Sequence, residues 1–221
     1  MTYESIIKKM KSNGIVFTSG LTAVEISKIE KIYGLKLPTE LIKFYSIALP
    51  IANKKNPMNI FPMWNDFSDE NIKNIKEQRA LPKQRILEEY KNDGTLLADI
   101  GIAANLGIST IFEEGKYDET FPATEQLRHK KGLEQFLSNL ETIIPIFSHR
   151  YMILKYEDDN AVISAYGTDI IAYGVTLKDY LINEFIDAKN LEDIYGRISE
   201  KVEKGEDEFR RLGKWRYLII R

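Results

Sequence analysis

The chain has 221 residues, of which 43% are hydrophobic and 29% are charged, a balance typical of a globular domain with a sizeable core. It has no cysteine, which excludes a disulfide scaffold, a thiol nucleophile and thiolate metal ligands, and which fits a reducing cytoplasm. The net charge of −2 gives no reason to expect a nucleic-acid partner. The N-terminus is not expected to be a signal peptide, and no run approaches ~20 apolar residues, so we expect no membrane partner.

Charge is unevenly distributed along the chain. Residues 1–60 carry nine Lys and Arg against four Asp and Glu, a net charge of +5, whereas residues 61–120 carry seven against twelve, a net charge of −5. An acidic middle segment could attract a basic partner. A solvated face is the simpler interpretation, and the sequence leaves both open.

The first third of the chain predicts helices. A short basic helix is expected over about 3–13, closed by an Asn-Gly pair. In "LTAVEISKIEKIYG", Thr22 and Glu25 have the spacing of a capping box, and Gly34 stands where a left-handed C-terminal residue is needed. These three residues predict one complete helix with both of its ends marked.

A second helix should follow at once. Pro38 suits the first helical turn, apolar residues recur at helical spacing as far as Leu49, and Pro50 should end the helix. The stretch 53–92 contains three further prolines and is expected to be irregular, with a short helix from Asp69.

Later segments predict mainly strands. "TLLADIGIA" is a candidate strand, "STIFEEGKYDETF" a candidate hairpin, and 132–140 a candidate helix. A helix capped by Thr176 and a C-terminal helical extension over about 190–221 should close the chain, with the apolar end "KWRYLIIR" docked on the body. Between them, three short strands are expected at Tyr151–Lys155, Ala161–Tyr166 and Asp169–Tyr173. Segregated helices and strands indicate one α+β domain with a mainly antiparallel sheet.

The hexamer "IFSHRY" offers the chain's first candidate for chemistry. Histidine is a proton carrier near neutral pH and a common metal ligand. His149 has no HxH or HExxH partner, His129 lies in a basic stretch, and Ser148 is adjacent in sequence rather than placed as a nucleophile. "GIAANLG" lacks the lysine of a phosphate loop. We therefore expect no metal, no cofactor and no catalytic residue.

Two stretches carry a resemblance to a known family. "GLTAVEISKIEKIYGLKLPTELIKFYSIALP" resembles the opening helix pair of SMI1/KNR4 proteins, the SUKH superfamily, with its Leu-Pro-x-Glu entry and its aromatic pair Phe44-Tyr45. "IPIFSHRYMI" and "AVISAYGTDIIAYGVTLKDYLINEF" resemble the closing half of bacterial members. The two stretches cover about a third of the chain. The tryptophan-rich middle of many members is absent, since only Trp64 precedes the strands.

The resemblance implies an α+β fold with a curved antiparallel sheet flanked by helices. For bacterial members it implies a non-enzymatic cytoplasmic immunity protein that neutralises a cognate toxin domain, often a nuclease. The alternative is an interaction scaffold or regulator without a toxin partner.

Within such a protein, His149, Arg150 and Asp169 should form a structural polar cluster, with a small ligand pocket as the alternative. A basic toxin should be met by an acidic surface. The acidic residues proposed to contact it are Asp66, Asp69, Glu70, Glu113, Glu114, Asp118, Glu119, Glu157, Asp158 and Asp159.

Overall fold

A computed structural model describes residues 1–58, 60–92, 133–187 and 211–219. Its helices are α1 (Tyr3–Ser12), α2 (Ala23–Tyr33), α3 (Thr39–Ile47), α4 (Asp69–Asn92), α5 (133–138) and α6 (Leu177–Phe185), with a 3₁₀ helix at Gly213–Leu218. Its strands are β1 (Ile15–Ser19), β2 (Ala48–Asn53), β3 (Thr142–Phe147), β4 (Arg150–Leu154), β5 (Val162–Tyr166) and β6 (Asp169–Gly174). Helices together with antiparallel sheets confirm the predicted α+β class.

The larger sheet is an antiparallel meander in the order β3-β4-β5-β6. The three predicted strands form β4, β5 and β6, each within one residue of its expected bounds. Two-residue turns join β3 to β4 and β5 to β6, because Phe147 pairs with Arg150 and Tyr166 pairs with Asp169. Tight hairpins of this kind keep consecutive strands adjacent.

Both faces of this sheet are buried. Because successive strand residues point to opposite faces, Met152 belongs to one hydrophobic cluster while its neighbours Tyr151 and Ile153 belong to a second. The first cluster joins the sheet to α1, α3 and α6, and the second joins it to α4, α5 and the 3₁₀ helix. The strands are apolar at nearly every position for this reason.

The two helices of the opening stretch are capped in different ways. Thr22 and Glu25 form the predicted capping box at the start of α2, and Gly34 ends the helix in a left-handed conformation with φ of 60°. At α3 the N-cap is Pro38, which offers no side-chain acceptor. The carbonyl oxygens of Glu157 and Asp158 accept the first two free N–H groups instead, at 2.7 and 2.9 Å. The β4–β5 turn therefore caps α3 across the fold.

The expectation of an irregular stretch over 53–92 is wrong for its second half. Asp69 does begin a helix, but α4 continues for 24 residues and contains Pro82. A proline in a helix interior removes a backbone hydrogen bond and costs about 3 kcal/mol. Packing offsets this cost, since Ile75 is buried in the first cluster and Ile86 in the second. Helix α4 thus spans both cores.

The extent of the second predicted helix is also wrong at its end. Helix α3 stops at Ile47, and Ala48 and Leu49 open β2, which pairs with β1. Pro50 lies within this strand, opposite Phe17 at a register shift, rather than after a helix. A two-stranded edge sheet tolerates a residue without an N–H group.

The apolar C-terminal end docks on the body as predicted, in a 3₁₀ helix whose Trp215 is buried. The candidate strand "TLLADIGIA", the candidate hairpin at Glu114-Gly115 and most of the predicted extension over 190–221 lie outside the described residues. Within the described ranges, no helix has both the length and the apolar character needed to cross a membrane.

Candidate functional site

Arg150, the first residue of β4, is the one charged residue among the described residues that is classed as buried. Its guanidinium donates from Nε to Glu184 Oε2 at 2.9 Å and from Nη1 to Ser164 Oγ at 2.9 Å. The Arg150 guanidinium carbon also lies 3.9 Å from the centroid of the Tyr173 ring. We call these four residues the Arg150 centre.

Strand register and one helix assemble this centre. Arg150 and Ser164 are direct partners across the β4–β5 ladder, so their side chains share one face of the sheet. Helix α6 begins at the predicted cap, where Thr176 Oγ1 accepts the N–H of Asp179 at 3.1 Å. The helix then packs on β6 and brings Glu184 over the same face.

The electrostatics of the centre favour a structural role. Glu184 and Arg150 keep only 15% and 11% of their side-chain surface exposed, so their ion pair is shielded from water. Burial raises the pKa of Tyr173, with the Arg150 charge opposing that rise. The phenol therefore stays protonated near neutral pH, and the guanidinium is already engaged by a carboxylate, a hydroxyl and a ring. The chain uses these groups to hold β4, β5, β6 and α6 together.

His149 lies beside the centre and does not join it. It occupies the two-residue β3–β4 turn after Ser148, whose φ of 48° is positive. Its Nδ1 lies 3.2 Å from Ser148 Oγ, and its ring meets the Tyr166 ring edge-on at 6.0 Å. Burial lowers the pKa of His149, the Arg150 charge lowers it further, and Asp169 opposes both. The imidazole is therefore held neutral.

Within the predicted polar cluster of His149, Arg150 and Asp169, Asp169 is not the ion-pair partner of Arg150. Asp169 is exposed at the start of β6 and acts on His149 through its charge, whereas the ion pair of Arg150 is with Glu184. Adjacent motifs in the sequence pointed to Asp169. The signal for Glu184 was weaker but present, because a carboxylate that continues the apolar stripe of a helix needs a partner.

Metal ligation finds no support in the part of the chain that the structure describes. There, no three or more His, Cys, Asp or Glu side chains gather in a group that could hold a metal ion.

One part of the predicted acidic surface is exposed at the start of α4. Asp69 and Glu70 lie in the first turn of this helix, where negative charge interacts favourably with the helix dipole. Asp66 is exposed too, and its Oδ1 accepts the Ser68 N–H at 2.9 Å. These carboxylates have local structural roles and remain accessible to a partner.

The second part of that surface, at the β4–β5 turn, divides between solvent and interior. Glu157 and Asp158 are exposed. Asp159 points inward, where its Oδ1 accepts the N–H groups of Leu177 at 3.0 Å and Asn160 at 2.8 Å. Burial raises the pKa of Asp159 against the opposing effect of these hydrogen bonds. We therefore remove Asp159 from the partner-contacting residues and assign it to the α6 N-terminus.

The third part lies outside the described residues: Glu113, Glu114, Asp118 and Glu119.

Sequence reasoning missed an exposed apolar segment between β2 and α4. Phe61 and Trp64 are buried at 1% and 2% exposure, whereas Met58, Ile60 and Met63 are exposed at 85%, 63% and 37%. Phe61 and Trp64 fix the segment on the core, while Met58, Ile60 and Met63 face solvent. The helical and strand periodicities used for the sequence do not apply in an irregular, proline-containing stretch.

An open groove of about 530 Å³ lies between the α2–α3 connection and the β4–β5 turn. Lys36 and Leu37 line one side, and Lys155, Tyr156 and Glu157 line the other. Lys36 is paired with Glu30 at 2.6 Å, and Lys155 lies over the Tyr156 ring at 5.2 Å. His149 is not among its lining residues, so this groove is not the ligand pocket considered for that histidine.

Comparison of the chain with protein-family models, with curated proteins and with solved structures finds no match.

Proposed function

We propose that this chain is a cytoplasmic, non-enzymatic immunity protein of the SMI1/KNR4 type, which neutralises a cognate toxin domain by binding it. The proposal starts from the two sequence stretches that resemble this family. The alternative, a scaffold or regulator without a toxin partner, requires the same kind of binding surface but no toxin.

The observation that carries the proposal is that the two stretches pack into one core. Phe44 and Tyr45, the aromatic pair of the opening stretch, are buried in the same hydrophobic cluster as Tyr180 and Leu181 of the closing stretch. More than 130 residues separate Tyr45 from Tyr180 in the sequence. Motifs that resemble one family and meet in space support a common fold better than either motif alone.

The contacts of the Arg150 centre fit a structural role better than a catalytic one. Its charged groups satisfy one another at 2.9 Å, so neither is free to act on a substrate. Catalytic groups need free reach to a substrate and a pKa matched to proton transfer. Here the same residue types fix strands to a helix instead.

The exposed carboxylates support a basic partner. Asp66, Asp69 and Glu70 stand at one end of α4, and Glu157 and Asp158 stand on the β4–β5 turn. A nuclease toxin carries a cationic surface because it must bind phosphate. Acidic side chains at the rim of an interface accelerate encounter with such a surface by electrostatic steering.

Co-expression tests this proposal. The gene is expressed together with any toxin domain that a neighbouring gene encodes, and growth is compared with expression of that toxin alone and with an unrelated toxin of the same activity. We expect protection against the neighbouring toxin only. Growth arrest that persists with a folded, well-expressed protein would contradict the immunity function and favour the scaffold alternative.

A further inference from the structure

The segment that follows β2 holds large apolar side chains in water beside lysines. Lys54 and Lys55 are exposed, and Met58 and Ile60 keep 85% and 63% of their surface accessible. Single exposed apolar residues are normal on protein surfaces. Here Lys54, Lys55, Met58 and Ile60 all lie within seven positions, so one short segment has both apolar and cationic character.

Hydrogen bonds on both sides of this segment fix it to the fold. The N–H of Lys54 donates to Gly14 O at 2.9 Å, and the N–H of Ser148 donates to Ile60 O at 2.8 Å. Asn53 Oδ1 accepts the N–H of Lys55 at 3.0 Å, which tightens the turn out of β2. Backbone hydrogen bonds thus hold the chain at Lys54 and at Ile60, on either side of Met58.

Helix α1 adds positive charge next to the segment. Its last turn carries Lys9 and Lys11, both exposed, and the Asn13-Gly14 turn that follows the helix meets the Lys54 backbone. Lys11 reaches over the Phe17 ring, with its Nζ 5.6 Å from the centroid. Among the described residues, none of these four lysines has an ion-pair partner. We define Lys9, Lys11, Lys54, Lys55, Met58 and Ile60 as the lysine–methionine surface.

We propose that the lysine–methionine surface docks peripherally on an anionic membrane. The four lysines complement lipid phosphate and carboxylate headgroups, and Met58 and Ile60 enter the interface beneath them. A nucleic acid would attract the lysines but would leave both apolar side chains in water. The contact needs no membrane-spanning helix. Peripheral docking departs from the expectation of no membrane partner, because that expectation rested on the absence of a membrane-spanning run. The proposed docking is independent of the proposed toxin binding.

Vesicle co-sedimentation tests the proposal on the full chain. The wild-type protein should bind vesicles that contain phosphatidylserine, should leave pure phosphatidylcholine vesicles largely unbound, and should dissociate as salt screens the charges. Each lysine near an anionic surface is worth about fivefold in partitioning, so Lys54→Glu/Lys55→Glu should lower binding about 25-fold or more. Met58→Ser/Ile60→Ser should lower it about tenfold without changing its salt dependence.

The matched control is Lys31→Glu/Lys76→Glu, which changes the net charge equally at exposed lysines of α2 and α4. It should retain most of the binding, and thermal unfolding should show all variants to be folded. Failure of the wild-type protein to bind anionic vesicles would overturn the proposal, and an acidic protein would then be the better occupant. An equal loss in the control and in Lys54→Glu/Lys55→Glu would also overturn it, because net charge alone would explain binding.

Discussion

Among substitutions that remove one charged side chain from the described residues, Arg150→Ala should lower the free energy of unfolding most. The substitution deletes two hydrogen bonds of 2.9 Å and leaves Glu184 and Ser164 without the donor that they share. Only 15% of the Glu184 side chain is exposed, so water replaces that donor poorly.

The expected size follows from this burial. Removal of one partner from a fully buried ion pair costs about 3–5 kcal/mol, and the residual exposure here places the cost near the lower limit, about 3 kcal/mol. For a chain of this length such a loss lowers the Tm by roughly 6–12 °C. Lys28→Ala is the control, because Lys28 is exposed and its Nζ lies 3.9 Å from the centroid of the Phe67 ring. Loss of such an exposed contact should cost about 0.5–1 kcal/mol.

Urea unfolding of Arg150→Ala, of Glu184→Ala and of the double variant measures both the cost and the coupling. We expect the double variant to lose less stability than the sum of the single ones, by about 1–3 kcal/mol. A loss below about 1 kcal/mol in Arg150→Ala, or additive single variants, would refute the structural interpretation of the Arg150 centre.

Three further outcomes are expected. Burial lowers the pKa of His149 below its ordinary value of 6.5, so the unfolded chain binds the proton more readily and the wild-type protein loses stability as the pH falls below 6.5. His149→Gln removes this group and should make that loss smaller, as unfolding measured from neutral to acidic pH would show. Gly167→Ala should cost about 1–3 kcal/mol in urea unfolding, because φ is 62° and a Cβ would overlap the Glu89 carboxylate, which also accepts the Thr168 N–H; an unchanged midpoint would contradict that contact. Asp159→Ala should cost about 1–2 kcal/mol whereas Asp158→Ala should stay within about 0.5 kcal/mol, and equal thermal shifts would contradict the inward position of Asp159.

Features that depend on nearby residues were predictable from the sequence. The capping box at Thr22 and Glu25 requires a spacing of three residues, and its hydrogen bonds measure 2.7 and 3.2 Å in the fold. The hairpin β5–β6 and the cap at Thr176 are equally local. In each case the sequence segment alone contains both partners of the interaction, so pattern and geometry agree.

Features that depend on distant residues were not predictable in the same way. Helix α4 runs through Pro82 because two separate cores bury its apolar side chains, and neither core is visible within the segment itself. Glu184 is 34 residues from Arg150, and Asp169 was the nearer and more obvious carboxylate. Ala48 continues the helical spacing of apolar residues in the sequence, but in the fold it begins β2, which pairs with β1. Tertiary contacts decided each of these outcomes.

The acidic surface is a third case. The sequence shows which residues carry carboxylates, but it does not show which of those carboxylates face solvent. "EDD" at 157–159 supplies three carboxylates in a row. Two face solvent and one caps the N-terminus of α6 from within. Their different roles arise from the turn geometry and from the position of α6.

The central claim is tested most directly by binding kinetics with a purified toxin domain, if a neighbouring gene encodes one. We expect a tight complex with the wild-type protein and slower association, especially at low salt, when Asp69, Glu70, Glu157 and Asp158 are changed to lysine. The control is Glu4→Lys/Glu88→Lys, which reverses exposed acidic residues outside the proposed surface and should associate nearly as fast as the wild type. No detectable binding by the folded wild-type protein would contradict the immunity account. Tight binding with equal rates in every variant would keep immunity and contradict the acidic surface.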